Sequence, residues 1–231
     1  MALAVEIARL RDRVLADLTD AHDYYTNTTI AWDIVHKFIA AGQTITIRNL
    51  TTGTLTTQVD LLSKSGGYIA EQLAEATFQK FVSTFEIFLL DLTRLWLTTY
   101  PQSLGAKQVD FRDILNAVDK DAITLLVVEK ELADIFHGPP SAWFRYIDDR
   151  VKLGCPTPDE IQQFAEAKAS RDLLEHNRGI VNSTYRLKAG KLARYDEGKR
   201  IEIPDDYHRR SWVLINKLVL DISNAAIAKV I

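Results

Sequence analysis

FQKFVSTFEIFLLDLTRLW, residues 78–96, sets Phe78, Phe81, Val82, Phe85, Phe88, Leu89, Leu92, Leu95 and Trp96 on a 3.6-residue repeat. That repeat is the apolar face of an α-helix, and so continuous a face must be covered by several other elements. The spacing predicts one long helix from about Ser65 to Tyr100, closed by Pro101. The most apolar stretch, FEIFLLDLTRLWL at residues 85–97, contains Glu86, Asp91 and Arg94 and is too short and too charged to read as a membrane span.

Working outward, Leu3, Ile7, Leu10, Val14 and Leu18 predict a first helix over residues 2 to about 20. The polar Thr26-Asn27-Thr28 stretch predicts a break, with a second helix ending at Gly42. TITIRNLTTGTLTTQV, residues 44–59, is Thr-rich and β-branched around Gly53 and predicts a small hairpin, an ordered polar loop being the alternative. Beyond Pro101, shorter helices are expected at 111–118, 120–137 and 141–153. Thr157-Pro158-Asp159-Glu160 then supplies an N-cap, a first-turn proline and a capping-box glutamate for a helix running to Asn177, with Gly179 to end it. ARYDEGKRIEIP, residues 193–204, predicts a second hairpin turning near Gly198, and a last helix starts at about Asp205. The fold class is mostly α: one domain over residues 1–231, with helices and a hairpin in 1–65 attached to a core in 66–231.

The 231 residues are 47% hydrophobic, enough for a substantial core, and carry a formal net charge of -3. Binding to nucleic acid would therefore need a local basic patch. Residues 178–210 offer one. Arg178, Arg186, Lys188, Lys191, Arg194, Lys199, Arg200, Arg209 and Arg210 face five acidic side chains there. Cys155 is the single cysteine, so no intrachain disulfide forms and a reducing compartment is expected. With no signal-peptide pattern at the N-terminus, the expected location is the cytoplasm. His22, His36, His137 and His208 stand apart at spacings that suit no metal, so neither a metal nor another cofactor is expected.

Chemistry concentrates in RDLLEHNRGIVNSTYRLKAG, residues 171–190. Arg171 and His176 lie about 140° apart around a helix, so one helix does not aim both at one point. Asp172 with His176, and Arg171 with Glu175, are the pairs at helical contact spacing. A carboxylate four residues before a histidine can orient its ring and favour its protonated form, and the negative end of the helix dipole acts in the same direction. An Arg five residues before a His is common by chance among five histidines and fifteen arginines, so the spacing alone assigns nothing.

The wider string resembles the motif region of the HEPN superfamily, in particular its stand-alone RiboL-PSP-like members of prokaryotic defence and toxin systems. Arg171 and His176 match its R-x4-6-H motif, in which the Arg is typically followed by Asn, Asp or His and the His by Asn and shortly a Gly, as Asp172, Asn177 and Gly179 stand here. STFEIFLLDLTRLW, residues 83–96, and YPQSL, residues 100–104, resemble the flanks, and the likeness spans roughly residues 68–231. It implies an up-and-down helical bundle that forms a homodimer and brings two motifs together across a two-fold axis. The implied activity is metal-independent endoribonuclease cleavage by attack of the ribose 2′-OH. His176 would move protons, Arg171 would stabilise the phosphate, Asp172 would orient His176 and Asn177 would add a hydrogen bond. Arg178, Arg186, Lys188 and Lys191 would hold RNA, with Glu86 and Tyr185 as supporting candidates. An antitoxin or a partner protein from a defence operon is the implied restraint. Family toxins silenced by partner nucleotidyltransferases often carry Tyr two places after the His; Arg178 stands there instead, and Tyr185 is at the wrong spacing. The rival reading is a HEPN module that binds RNA, nucleotide or protein without cutting, and an unrelated helical interaction protein is a third.

Overall fold

A computed structural model describes residues 2–230. The chain is a helical bundle with one small antiparallel hairpin. Its centre is α3 (Ala74–Thr99), whose Phe78, Phe81, Val82, Phe85, Phe88 and Leu89 have no exposed surface. α1 (Ala2–Ala40), α5 (Lys120–Phe136), α7 (Pro158–Asn177) and α9 (Asp205–Ala228) all pack on it, as the width of the apolar face required. α9 is long and apolar enough by composition to cross a membrane. Its Ile215, Leu218, Val219 and Ile222 are instead buried in the same core as α1 and α3, the pattern of a core helix.

The expected break in the first helix does not occur: α1 is continuous over 39 residues. Thr29, just after the polar stretch, returns its hydroxyl to the Tyr25 carbonyl at 2.8 Å, so a hydroxyl there is satisfied within the helix. The helix propensities of Thr and Asn fall below those of good formers by only about 0.7 kcal/mol at most, too little to end a long helix. Leu3, Ile7, Leu10, Val14, Leu18 and Tyr25 belong to the main core, so the start of α1 is built into the bundle. Past Tyr25 the helix runs beyond that core, with Ile30, Ile34 and Phe38 about half exposed.

The first hairpin is present but minimal: β1 (Ile47–Arg48) pairs with β2 (Leu55–Thr56) around Gly53. Gly53 adopts a φ of 69°, and Asn49 accepts from the amides of Thr51 and Thr52 at 2.9 Å. α2 (Gln58–Gly67) then starts at the Thr57 cap, earlier than Ser65, and passes through a wider π-type segment, Tyr68–Leu73, into α3. After it come α4 (Phe111–Asn116), α5 and α6 (Pro140–Val151), close to the expected bounds.

The second hairpin is a correction. The Gly198 turn forms, but residues 193–196 are not its partner strand. Residues 199–201 lie against 179–181, with the Val181 amide donating to the Lys199 carbonyl and Ile201 to Gly179, each at 2.8 Å. Between them run α8 (Ser183–Ala189) and a short 3-10 turn, Gly190–Leu192. The reason is Arg194, drawn inward to a buried carboxylate.

Candidate active site

α7 is fixed at both ends. Thr157 accepts from the Glu160 amide at 3.3 Å while Glu160 accepts from the Thr157 amide at 2.8 Å, which is the capping box. Lys217 of α9 reaches Glu160 at 2.6 Å; its hydrogen bond, with the Thr157 amide, holds that carboxyl down to about 2. At the other end Arg178 and Gly179 turn left-handed, with φ of 52° and 73°, and the Gly179 amide donates to the Leu173 carbonyl at 2.9 Å. The motif therefore occupies the last two turns of a well-terminated helix.

The rotation of α7 is set by Glu166, which is 4% exposed. One of its oxygens accepts from Ser170 at 2.7 Å, Tyr185 at 3.0 Å and Arg194 at 3.1 Å. The other accepts from Tyr207 at 2.6 Å. A buried carboxylate with an opposite charge and a full set of donors meets the conditions under which such a group is tolerated. Burial, then the Glu166 charge, raises the Tyr185 and Tyr207 hydroxyls above their ordinary value. Tyr185 is thus a buried brace between α7 and α8 and touches no open surface. Glu166 escaped the sequence reading. Its signal was a charged residue in an otherwise buried position between Phe164 and Ala167.

On the outer side of α7, Arg171 is a part-buried side chain clamped by two carboxylates. It donates to Glu86 of α3 in a very close contact and to Glu175 at 2.8 Å. That hydrogen bond also lowers the Glu175 carboxyl. Glu86 pairs further with Lys168 at 3.0 Å, so this polar residue of the apolar helix does face the motif. Asp172 is held by Lys168 at 3.2 Å and by Lys188 of α8 at 3.3 Å. It does not orient His176. The carboxylate within 4 Å of that ring is Glu175, at 3.9 Å, and the His176 side chain is 69% exposed. Contact spacing permitted the Asp172–His176 pair, but two lysine ammoniums bind a carboxylate more strongly than one imidazole does. Asn177 donates to the Ile180 carbonyl and so serves the turn after the helix.

Three cations, Lys168, Arg171 and Lys188, thus interleave with three carboxylates, Glu86, Asp172 and Glu175, and the exposed His176 stands at the margin. Lys168 was not singled out in the sequence, although its i,i+4 relation to Asp172 was visible there. Of the basic arm, Arg194 is internal, Arg200 pairs with Glu75 at 2.7 Å and Arg186 lies 3.5 Å from Asp196. Arg178 and Lys191 are exposed, with no ion pair among the described residues. No group of three His, Cys, Asp or Glu side chains among the described residues is placed to hold a metal ion. No family model, curated protein or solved structure matches this chain.

Proposed function

We propose that the chain is a metal-independent endoribonuclease of the HEPN type, acting as a cytoplasmic homodimer in a toxin or defence setting. The observation that carries this reading is the contrast at the end of α7. Arg171 is held part-buried by two carboxylates, while His176, five residues on, is exposed and has no close hydrogen-bond partner among the described residues. A proton-transfer group must be reachable, and a phosphate-binding guanidinium must be pre-positioned. In the reaction, one His176 takes the 2′-OH proton as that oxygen attacks the adjacent phosphorus. The other copy's His176 gives a proton to the departing 5′-oxygen. The products are a 2′,3′-cyclic phosphate end and a 5′-hydroxyl end, and Arg171 stabilises the charge that develops on the phosphate oxygens. The exposed Arg178, Arg186, Lys188 and Lys191 would supply the contacts to the RNA backbone.

The test is incubation of purified protein with mixed RNAs in EDTA, with the product ends mapped. Wild type should yield cyclic phosphates, and Arg171→Ala or His176→Ala should each lower the rate by about a hundredfold or more, the scale of losing a proton-transfer group or a transition-state donor. Intact RNA under all conditions defeats the nuclease reading. The second reading, a module that binds RNA, nucleotide or a protein partner such as an antitoxin without cutting, is favoured by one observation. Glu86 and Glu175 already occupy the Arg171 guanidinium, and a binding-only site need never release it.

A further inference from the structure

A groove of about 1050 Å³ opens beside the motif, between the α5–α6 turn, the α6–α7 turn and α8. Its floor is apolar, where Phe144 and Pro140 are buried and Ile161 is part-buried; His137, Arg145 and Lys188 are exposed around it, and Lys168 is part-buried. The acid among its lining residues, Asp148, is partly used by the Gly154 amide at 2.9 Å. The volume lies just above the roughly 300–1,000 Å³ usual for small-molecule sites, which suits a short length of chain better than one small metabolite.

α7 joins this groove to the motif. Ile161, Ala165 and Lys168 line the groove, and Asp172 and His176 continue the same stripe at steps of four. From Lys168 to His176 the helix advances about 12 Å. Lys168 and Lys188 are shared: both line the groove and both hold Asp172. Exposed basic groups around an apolar floor are the complement of a single strand, with phosphates on the cations and an unstacked base on the floor.

We infer that this groove is a subsite for the unpaired nucleotides that flank the cleaved phosphate, so that RNA strandedness is read there and not at His176. The inference rests on the nuclease reading. A base held in a paired stack cannot reach the floor, so duplex RNA binds through the exposed cations alone.

The experiment uses the full chain as His176→Ala, which keeps RNA uncut, with a fluorescein-labelled unstructured RNA 12-mer and its duplex as probes. Adding Ala165→Trp fills the groove and should weaken single-strand binding about tenfold or more, the worth of one stacked base, while leaving duplex binding unchanged. Because a filled groove could perturb folding, a second measurement leaves it open. Cys155 lines the groove and is the chain's single cysteine. Burial raises its thiol, so alkylation by N-ethylmaleimide is followed at alkaline pH. Saturating single-stranded RNA should slow that alkylation several-fold, and duplex RNA should not. Unchanged alkylation with bound 12-mer, or equal protection by duplex, overturns the groove assignment and leaves wild-type cleavage to stand or fall by itself. If no RNA binds at all, the nuclease reading and the groove fall together.

Discussion

His208 lies on α9 with no exposed surface. Its Nε2 is 2.8 Å from the Thr77 hydroxyl, its ring stacks 3.9 Å from that of Tyr25, and its Nδ1 has no partner among the described residues. Burial, then the neighbouring His22, pushes its pKa down to about 4, against a smaller upward pull from Asp205. In the unfolded chain the same imidazole takes up a proton near 6.5. Between those values the unfolded state binds a proton that the folded state refuses, so stability falls as pH drops from 6.5 towards 4. At pH 5 the loss from this one group is about 2 kcal/mol. Urea unfolding at pH 7.5 and pH 5 should show that excess loss in the wild type and not in His208→Gln. Equal losses in the two proteins would mean that His208 is not the group responsible. This residue was legible in the sequence only as an isolated histidine; its burial depends on α1 and α3, which lie far away along the chain. Arg171 shows the converse. Its i,i+4 partner Glu175 was readable from spacing, whereas Glu86, 85 positions away, became its partner only through the packing of α7 on α3.

Among the elements, α7 was the most legible because its ends are set by local chemistry. Thr157, Pro158 and Glu160 start it and Gly179 stops it within one turn of the predicted bounds. The 193–204 segment was misread because its course depends on Glu166, which meets Arg194 only after α8 has turned back onto α7. Two substitutions should rank in the order of these interactions. Thr157→Ala removes one cap and should cost about 1 kcal/mol, or roughly 2–4 °C in Tm for a chain of this size. Glu166→Ala leaves the Arg194 charge buried without its partner and should cost about 3–5 kcal/mol. Thermal and urea unfolding of both variants check the order. A Glu166→Ala protein no less stable than Thr157→Ala would show that the buried network does not hold α7 in place.

At the scale of the whole molecule, the charges around Arg171 are balanced within one chain: three cations against three carboxylates, with one His176 beside them. Attack by the 2′-OH and departure of the 5′-oxygen need a proton removed and a proton supplied on opposite sides of the phosphorus. A single exposed imidazole with no orienting carboxylate is a weak candidate for both roles. Two copies related by a two-fold axis would supply two imidazoles and two guanidiniums, which is why the proposed activity depends on assembly. Its expected signature is kinetic. Cleavage rate per protomer should fall on dilution through the dimer dissociation constant, and the order in protein should rise from one towards two, in step with the mass measured by sedimentation. Excess His176→Ala protein mixed with wild type should then suppress activity, because wild-type subunits are drawn into heterodimers that carry one imidazole. A rate per protomer that stays constant from nanomolar to micromolar protein, in a chain that sediments as a monomer throughout, would move the whole reaction into one subunit. His176 would then have to serve as base and acid in turn, with Arg171 released from Glu86 by the substrate itself.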